Sequence, residues 1–137
     1  MNEVPATDKQ ELLALSQRLL DVIDGRDWAG YAKLCDPSLT AFEPESVGNL
    51  VEGMAFHQFY FPNEGTAVES RQRSTICSPH VRLMGDVAVV SYVRLSQRAD
   101  GGGNSTVTNE ETRVWQRQDG IWQHVHFHRS RSGEVRL

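Results

Sequence analysis

ETRVWQRQDGIWQHVHFHRS, residues Glu111–Ser130, is two strand-like runs joined at Asp119-Gly120. Asp-Gly between two such runs, each carrying Val, Trp, Ile or Phe, is a strong local hairpin signal. Reading backward, the first arm extends over Ser105–Gln118 and the second over Ile121–Ser130. Two more runs precede them, Ser74–Met84 and Val87–Arg98, set apart by Gly85-Asp86 and by the glycine-rich Asp100–Asn104. Consecutive strands joined this briefly are antiparallel neighbours, so the second half of the chain is a meander. The Asp100–Asn104 glycines follow a strand but open no helix, which makes them a hairpin tip rather than a phosphate loop.

The first half has a different period. Thr7 and Gln10 stand at capping-box spacing, and Leu12, Leu15, Leu19 and Val22 follow at steps of three and four, the stripe of an amphipathic helix that Gly25 ends. Asp27 caps a short second helix with Trp28, Tyr31 and Leu34, stopping before Asp36-Pro37. Leu39–Glu43 and Asn49–Glu52 read as short extended pieces, Met54–Phe61 as a third helix ended by Pro62, and Asn63–Arg73 as a polar loop. Helices first and a meander afterwards predict an α+β domain with the helices on one face of a curved antiparallel sheet. The 137 residues fit one domain, placed at 8–132 between a flexible N-terminus (1–7) and a C-terminal tail (133–137).

Composition excludes several classes. With 39% hydrophobic and 23% charged residues the chain can form a core. A net charge of −4 with no basic stripe argues against nucleic-acid binding. No apolar run approaches the ~20 residues that span a bilayer, and MNEVPATDKQ does not read as a signal peptide, so no membrane partner is expected. Cys35 and Cys77 form no disulfide framework and no metal-type spacing; they are expected as reduced thiols in a cytoplasmic protein.

Four features bear on function. In Val87–Leu95 both alternation sets are apolar: Ala88, Val90 and Tyr92 on one face, Val87, Val89, Val93 and Leu95 on the other. The helices cover one face only, so the second is covered by another subunit, economical in a short chain, or by the chain's own loops. Arg94, Arg113 and Arg129 lie inside strands on faces with aromatic or apolar residues, Arg94 with Tyr92, Arg113 with Trp115, Arg129 with Phe127 and Val125. A buried arginine needs an anion, and either the three converge on a pocket for a carboxylate or phosphate or each pairs with a local acid such as Glu111. His124, His126 and His128 form an H-x-H-x-H run on one face of the last strand, and structural imidazoles are expected there rather than a metal site. His57 is a core-edge residue or a pocket wall, and Glu43 and Glu45, flanking Pro44, are either paired acid/base carboxylates or a turn and arginine partners.

CDPSLTAFEPESVGNLVEGMAFHQFYF (Cys35–Phe61), SPHVRLMGD (Ser78–Asp86) and EETRVWQRQDGIWQHVHFHRS (Glu110–Ser130) resemble the association, or hub, domain of calcium/calmodulin-dependent protein kinase II. The order and spacing agree over Gln10–Ser130. The resemblance implies the conical fold shared by nuclear transport factor 2, ketosteroid isomerases and polyketide cyclases. It also implies a homo-oligomer, a dodecamer or tetradecamer of stacked rings, with any kinase domain outside this chain. Finally it implies a pocket in each subunit lined by three sheet arginines and a histidine. Those positions match Arg94 in YVRLSQ, Arg113 in ETRVW, Arg129 in HFHRS and His57 in FHQFYF, which favours the anion-pocket reading with a small carboxylate as ligand. The family's pocket-mouth tryptophan has no counterpart in Asn63–Arg73, so ligand preference need not carry over. The alternative is a ketosteroid-isomerase-like binding protein or enzyme acting on an organic acid. It would need a carboxylate base, Glu43 or Glu45, and a proton donor, Tyr92; three arginines would hold such a base ionised and weaken it. The domain itself is therefore expected to be non-catalytic and to need no cofactor.

Overall fold

In the computed structural model, which describes residues 6–59, 61 and 71–133, Thr7 and Gln10 close the expected capping box on helix α1 (Asp8–Asp24). The buried face of α1 is Leu12, Ser16, Leu19 and Leu20, with Leu15 and Val22 on its flanks. Gly25 follows the helix in a right-handed conformation, and the left-handed residue is Arg26 at φ 56°. Asp27 caps α2 (Trp28–Leu34) by accepting the Gly30 N–H at 2.9 Å. A Cβ at Gly30 would come within 2.4 Å of the capping carboxylate, which would have to shift to admit it.

The chain then runs through β1 (Cys35–Phe42), a single 3₁₀ turn at Pro44–Ser46, β2 (Val51–Glu52) and α3 (Ala55–Phe59). The long strands follow: β3 (Arg71–Met84), β4 (Val87–Asp100), β5 (Gly103–Gln118) and β6 (Ile121–Arg131). Strand β1 starts four residues before the expected Leu39, and Arg71–Arg73 belong to β3 rather than to the preceding loop. Residues 63–70, the rest of that expected loop, lie outside the described residues, as do 1–5, residue 60 of the expected third helix, residue 62 and 134–137.

One six-stranded sheet results, in the order β2-β1-β6-β5-β4-β3, antiparallel except for the β1–β6 pair. The chain returns to the meander's far edge, which is why the first strand joins the last in parallel. The expected two-residue turns are present, and Asp119 and Gly120 both take positive φ (51° and 81°), as a type I′ hairpin demands. Two bulges curve the sheet: one at Ser78-Pro79 in β3, with Ser78 at φ 50°, and one at Val125 in β6. Helix α1 lies on the concave face, over a core that includes Leu12, Leu19, Leu39, Val90, Trp115 and Trp122.

The Val125 bulge changes which histidines share a face. Trp115 pairs with His124 but Val114 with His126, so the strand gains a residue between them. His124 is fully buried on the concave side, while His126 and His128 turn outward against Phe42. The single-face reading of the histidine run is thus wrong, and Val125 does not share a face with Arg129: an extra residue inverts alternation beyond it.

Candidate functional site

Register sorts the concave face into rows. Ala88, Trp115 and His124 align across β4, β5 and β6, then Val90, Arg113 and Phe127, then Tyr92, Glu111 and Arg129, then Arg94, Asn109 and Arg131. The face is apolar at one end and charged at the other. On β1, Ala41 sits beside Phe127, so Glu43, two residues on, reaches the level of Arg129. Opposite the sheet, α2 and α3 contribute Tyr31 and His57, with Phe61 beyond; the Tyr31 ring lies 5.1 Å from Phe61 and 6.1 Å from His57.

These walls enclose a chamber of about 150 Å³. All four residues singled out from the sequence, Arg94, Arg113, Arg129 and His57, line it, and Glu43 and Glu45 do too. Tyr92 does not.

The three arginines share the chamber wall, and each also pairs with an acid of the protein. Glu111, two residues from Arg113 on β5, is 2% exposed and takes hydrogen bonds from Arg113 at 3.0 Å, Arg94 at 3.3 Å and the Tyr92 hydroxyl at 2.7 Å. Burial raises its pKa, but the two guanidiniums outweigh that and hold it down at about 2. Arg113 is fully buried. It donates through Nε to the Tyr92 oxygen at 2.6 Å, through another nitrogen to His124 Nε2 at 3.4 Å, and lies 4.7 Å over the Phe127 ring. An arginine can only donate, so His124 accepts at Nε2 and carries its proton on Nδ1, toward the Cys35 sulfur 3.5 Å away. Burial, then Arg113, push the His124 pKa well down, so the ring is neutral. Arg94 is also bonded to Ser74 at 2.9 Å and to Asp24 at 3.3 Å.

Arg129 differs. It is partly exposed, pairs with Glu45 through one nitrogen and lies 4.0 Å from Glu43. Most of its five N–H donors remain available. Glu45 is held below the usual carboxylate range, burial being outweighed by the Arg129 hydrogen bond and charge. Glu43 goes the other way: burial, then the adjacent Glu45, raise it to about 7 despite Arg129 and Arg113. The arginines therefore do not keep this carboxylate fully ionised, against the sequence-based argument. His57 falls to about 4 through burial and Arg113 and is neutral, so its 3.7 Å approach to Glu43 is not an ion pair near neutrality. Its Nε2 is buried with no partner among the described residues.

Sequence reasoning missed Asp24. It ends α1, where a carboxylate opposes the helix dipole. Gln72, Ser74 and Arg94 all donate to it, and that dipole conflict is the signal that could have flagged an arginine partner. Among the described residues, no group of three His, Cys, Asp or Glu is placed to hold a metal. No described helix is long and apolar enough to cross a membrane.

The family model of the calcium/calmodulin dependent protein kinase II association domain matches residues 8–133. The chain is 51% identical over 129 residues to the calcium/calmodulin-dependent protein kinase type II subunit delta of Oryctolagus cuniculus, covering 93% of this chain and 24% of that protein. It thus spans about a quarter of that relative's length. Among solved structures, the hub homology domain of Chlamydamonas reinhardtii superposes with a TM-score of 0.86 at 48% identity, over 93% of this chain and 100% of that one. A nuclear-transport-factor-2-like protein of Salmonella enterica, at 23% identity and a TM-score of 0.76 over 94% of each chain, shares the fold.

Two outcomes follow for the charges. Glu111→Gln leaves two buried guanidiniums short of a counter-charge and should lower the unfolding free energy by about 3–5 kcal/mol in urea titration; a loss under ~1 kcal/mol would refute its structural role. For Glu43, the folded protein retains a proton that the unfolded chain releases above about 4.5, so the wild type loses stability as pH rises toward 7 and levels off beyond. The melting temperature of Glu43→Gln relative to wild type should therefore climb between pH 4.5 and 7 and then hold constant; a pH-independent difference would contradict the raised pKa.

Proposed function

The chain belongs to the calcium/calmodulin-dependent protein kinase II association-domain family, and on that premise we propose that it is a hub: a non-catalytic module that self-assembles into a closed ring. The observation that carries this is strand β4. Ala88, Val90 and Tyr92 are buried under the helices, whereas Val87, Val89, Val93 and Leu95 are only half-buried. Burying that stripe against a second copy stabilises by roughly 25 cal/mol per Å² of apolar area. The ring, a dodecamer or tetradecamer, is the assembly implied by the family resemblance. We place it in the cytoplasm on its two free thiols, Cys35 and Cys77.

In this reading the chamber holds a small carboxylate. Arg129 supports it, because it lines the chamber with donors to spare, while Arg94 and Arg113 chiefly hold the wall together through Glu111. The competing enzyme reading draws on Glu43, whose pKa near 7 suits a general base. Its proposed proton donor is committed elsewhere: the Tyr92 hydroxyl donates to Glu111, accepts from Arg113, and has its pKa pushed up by burial.

Light scattering on the purified chain should give the mass of a dodecamer or tetradecamer, and a monomer at micromolar concentration would sink the hub reading. Val93→Glu, which puts a carboxylate into the stripe, should break the particle into smaller units with the fold retained by circular dichroism. Arg129→Ala should weaken propionate binding at least tenfold with the native mass unchanged. If propionate binds the variant as well as wild type, the arginine is only an ion-pair partner of Glu45.

A further inference from the structure

The chamber does not end at Arg129. It opens into a groove of about 690 Å³ that shares Glu45, Arg94 and Arg129 with it and adds Arg98 and Arg131 farther out on the same face. Charge is distributed unevenly along this path. Inside, Arg94 and Arg113 answer Asp24 and Glu111, and Arg129 answers Glu45. Outside, among the described residues, Arg98 bonds the neutral amide oxygen of Gln72 at 3.1 Å and no carboxylate forms an ion pair with Arg98 or Arg131. A ligand confined to the chamber meets guanidiniums already neutralised by the protein, so among the described residues the uncompensated positive charge lies at the mouth.

We infer that the ligand is an elongate dianion, with one carboxylate in the chamber against Arg129 and a second anionic group held at the mouth by Arg131 and Arg98. This rests on the carboxylate reading of the chamber and names the ligand class that the whole path fits. Arg129 and Arg131 are two residues apart on one strand face, roughly 7 Å along it, so the two charges are separated by a short chain rather than carried on one group. Asn109, level with Arg131, and Val107, one row farther out toward Arg98, line the groove. Val107 gives the outer part of the groove, between the Arg131 and Arg98 rows, an apolar patch, and Asn109 sits in register between Arg94 and Arg131. A linear six-carbon dicarboxylate, adipate, matches this spacing, and hexanoate has the same chain with a single charge.

The test is calorimetric titration of adipate and hexanoate into the intact protein at low ionic strength, where exposed charges are least screened. Adipate should bind about tenfold more tightly than hexanoate. In an Arg98→Ala/Arg131→Ala double variant, adipate should fall to the hexanoate level and hexanoate should be unaffected; both side chains are exposed, so an unchanged melting temperature confirms the fold. Equal binding of the two acids by wild type, or equal weakening of both in the variant, would overturn the mouth subsite and leave the chamber reading standing. Failure of both acids to bind wild type would overturn the chamber reading and the dianion with it.

Discussion

Glu111 is the group on which the charged end of this molecule depends. Three rows of the concave face converge on its carboxylate: Arg113 from the row below, Tyr92 beside it and Arg94 from the row above. Two guanidiniums on one sheet face repel each other and are costly to desolvate, so neither could be buried without a shared counter-charge. With Glu111 between them, the wall of the chamber is set before any ligand arrives. Asp24 extends the network to the end of α1 and ties helix to sheet at the same level.

That arrangement divides labour among residues that look alike in the sequence. Arg113 and Arg94 are framework that also faces the chamber, whereas Arg129, bonded through one nitrogen to Glu45, keeps donors free. The two glutamates flanking Pro44 diverge for the same reason. Glu45 reaches Arg129 and is held ionised, while Glu43, more deeply placed and next to that negative charge, retains its proton more readily. One short arm thus offers the chamber a fixed anion and a group that titrates near neutrality.

The opposite face of the sheet has a different physics. Its half-buried valines on β4 make an apolar stripe beside Arg82 and Glu110, and the binding proposed for it rests on area. The face proposed for assembly and the chamber proposed for a ligand lie on opposite sides of a single sheet. Strand β4 serves both, because its alternate residues point to opposite sides.

Much of this was legible in one dimension. Capping at Thr7 and Asp27, the two-residue turns, the meander and the α+β class all rest on local chemistry, and local chemistry is written in neighbouring residues. The three arginines were visible as charges at strand-interior positions, and Glu111 as the acid two residues from one of them. What neighbours could not decide was anything that depends on an irregularity or on a distant element. The Val125 bulge reversed the facing of the last histidines, since one inserted residue inverts a period of two. Strand β1 came to lie parallel beside β6, which put Glu43 next to Arg129 across 86 residues of chain. Asp24 found Arg94 across 70. The sequence by itself determined the elements and the charges they carry. Only the tertiary structure decided which charges are spent on one another, because that depends on distances and desolvation that exist only after the sheet has closed around the helix.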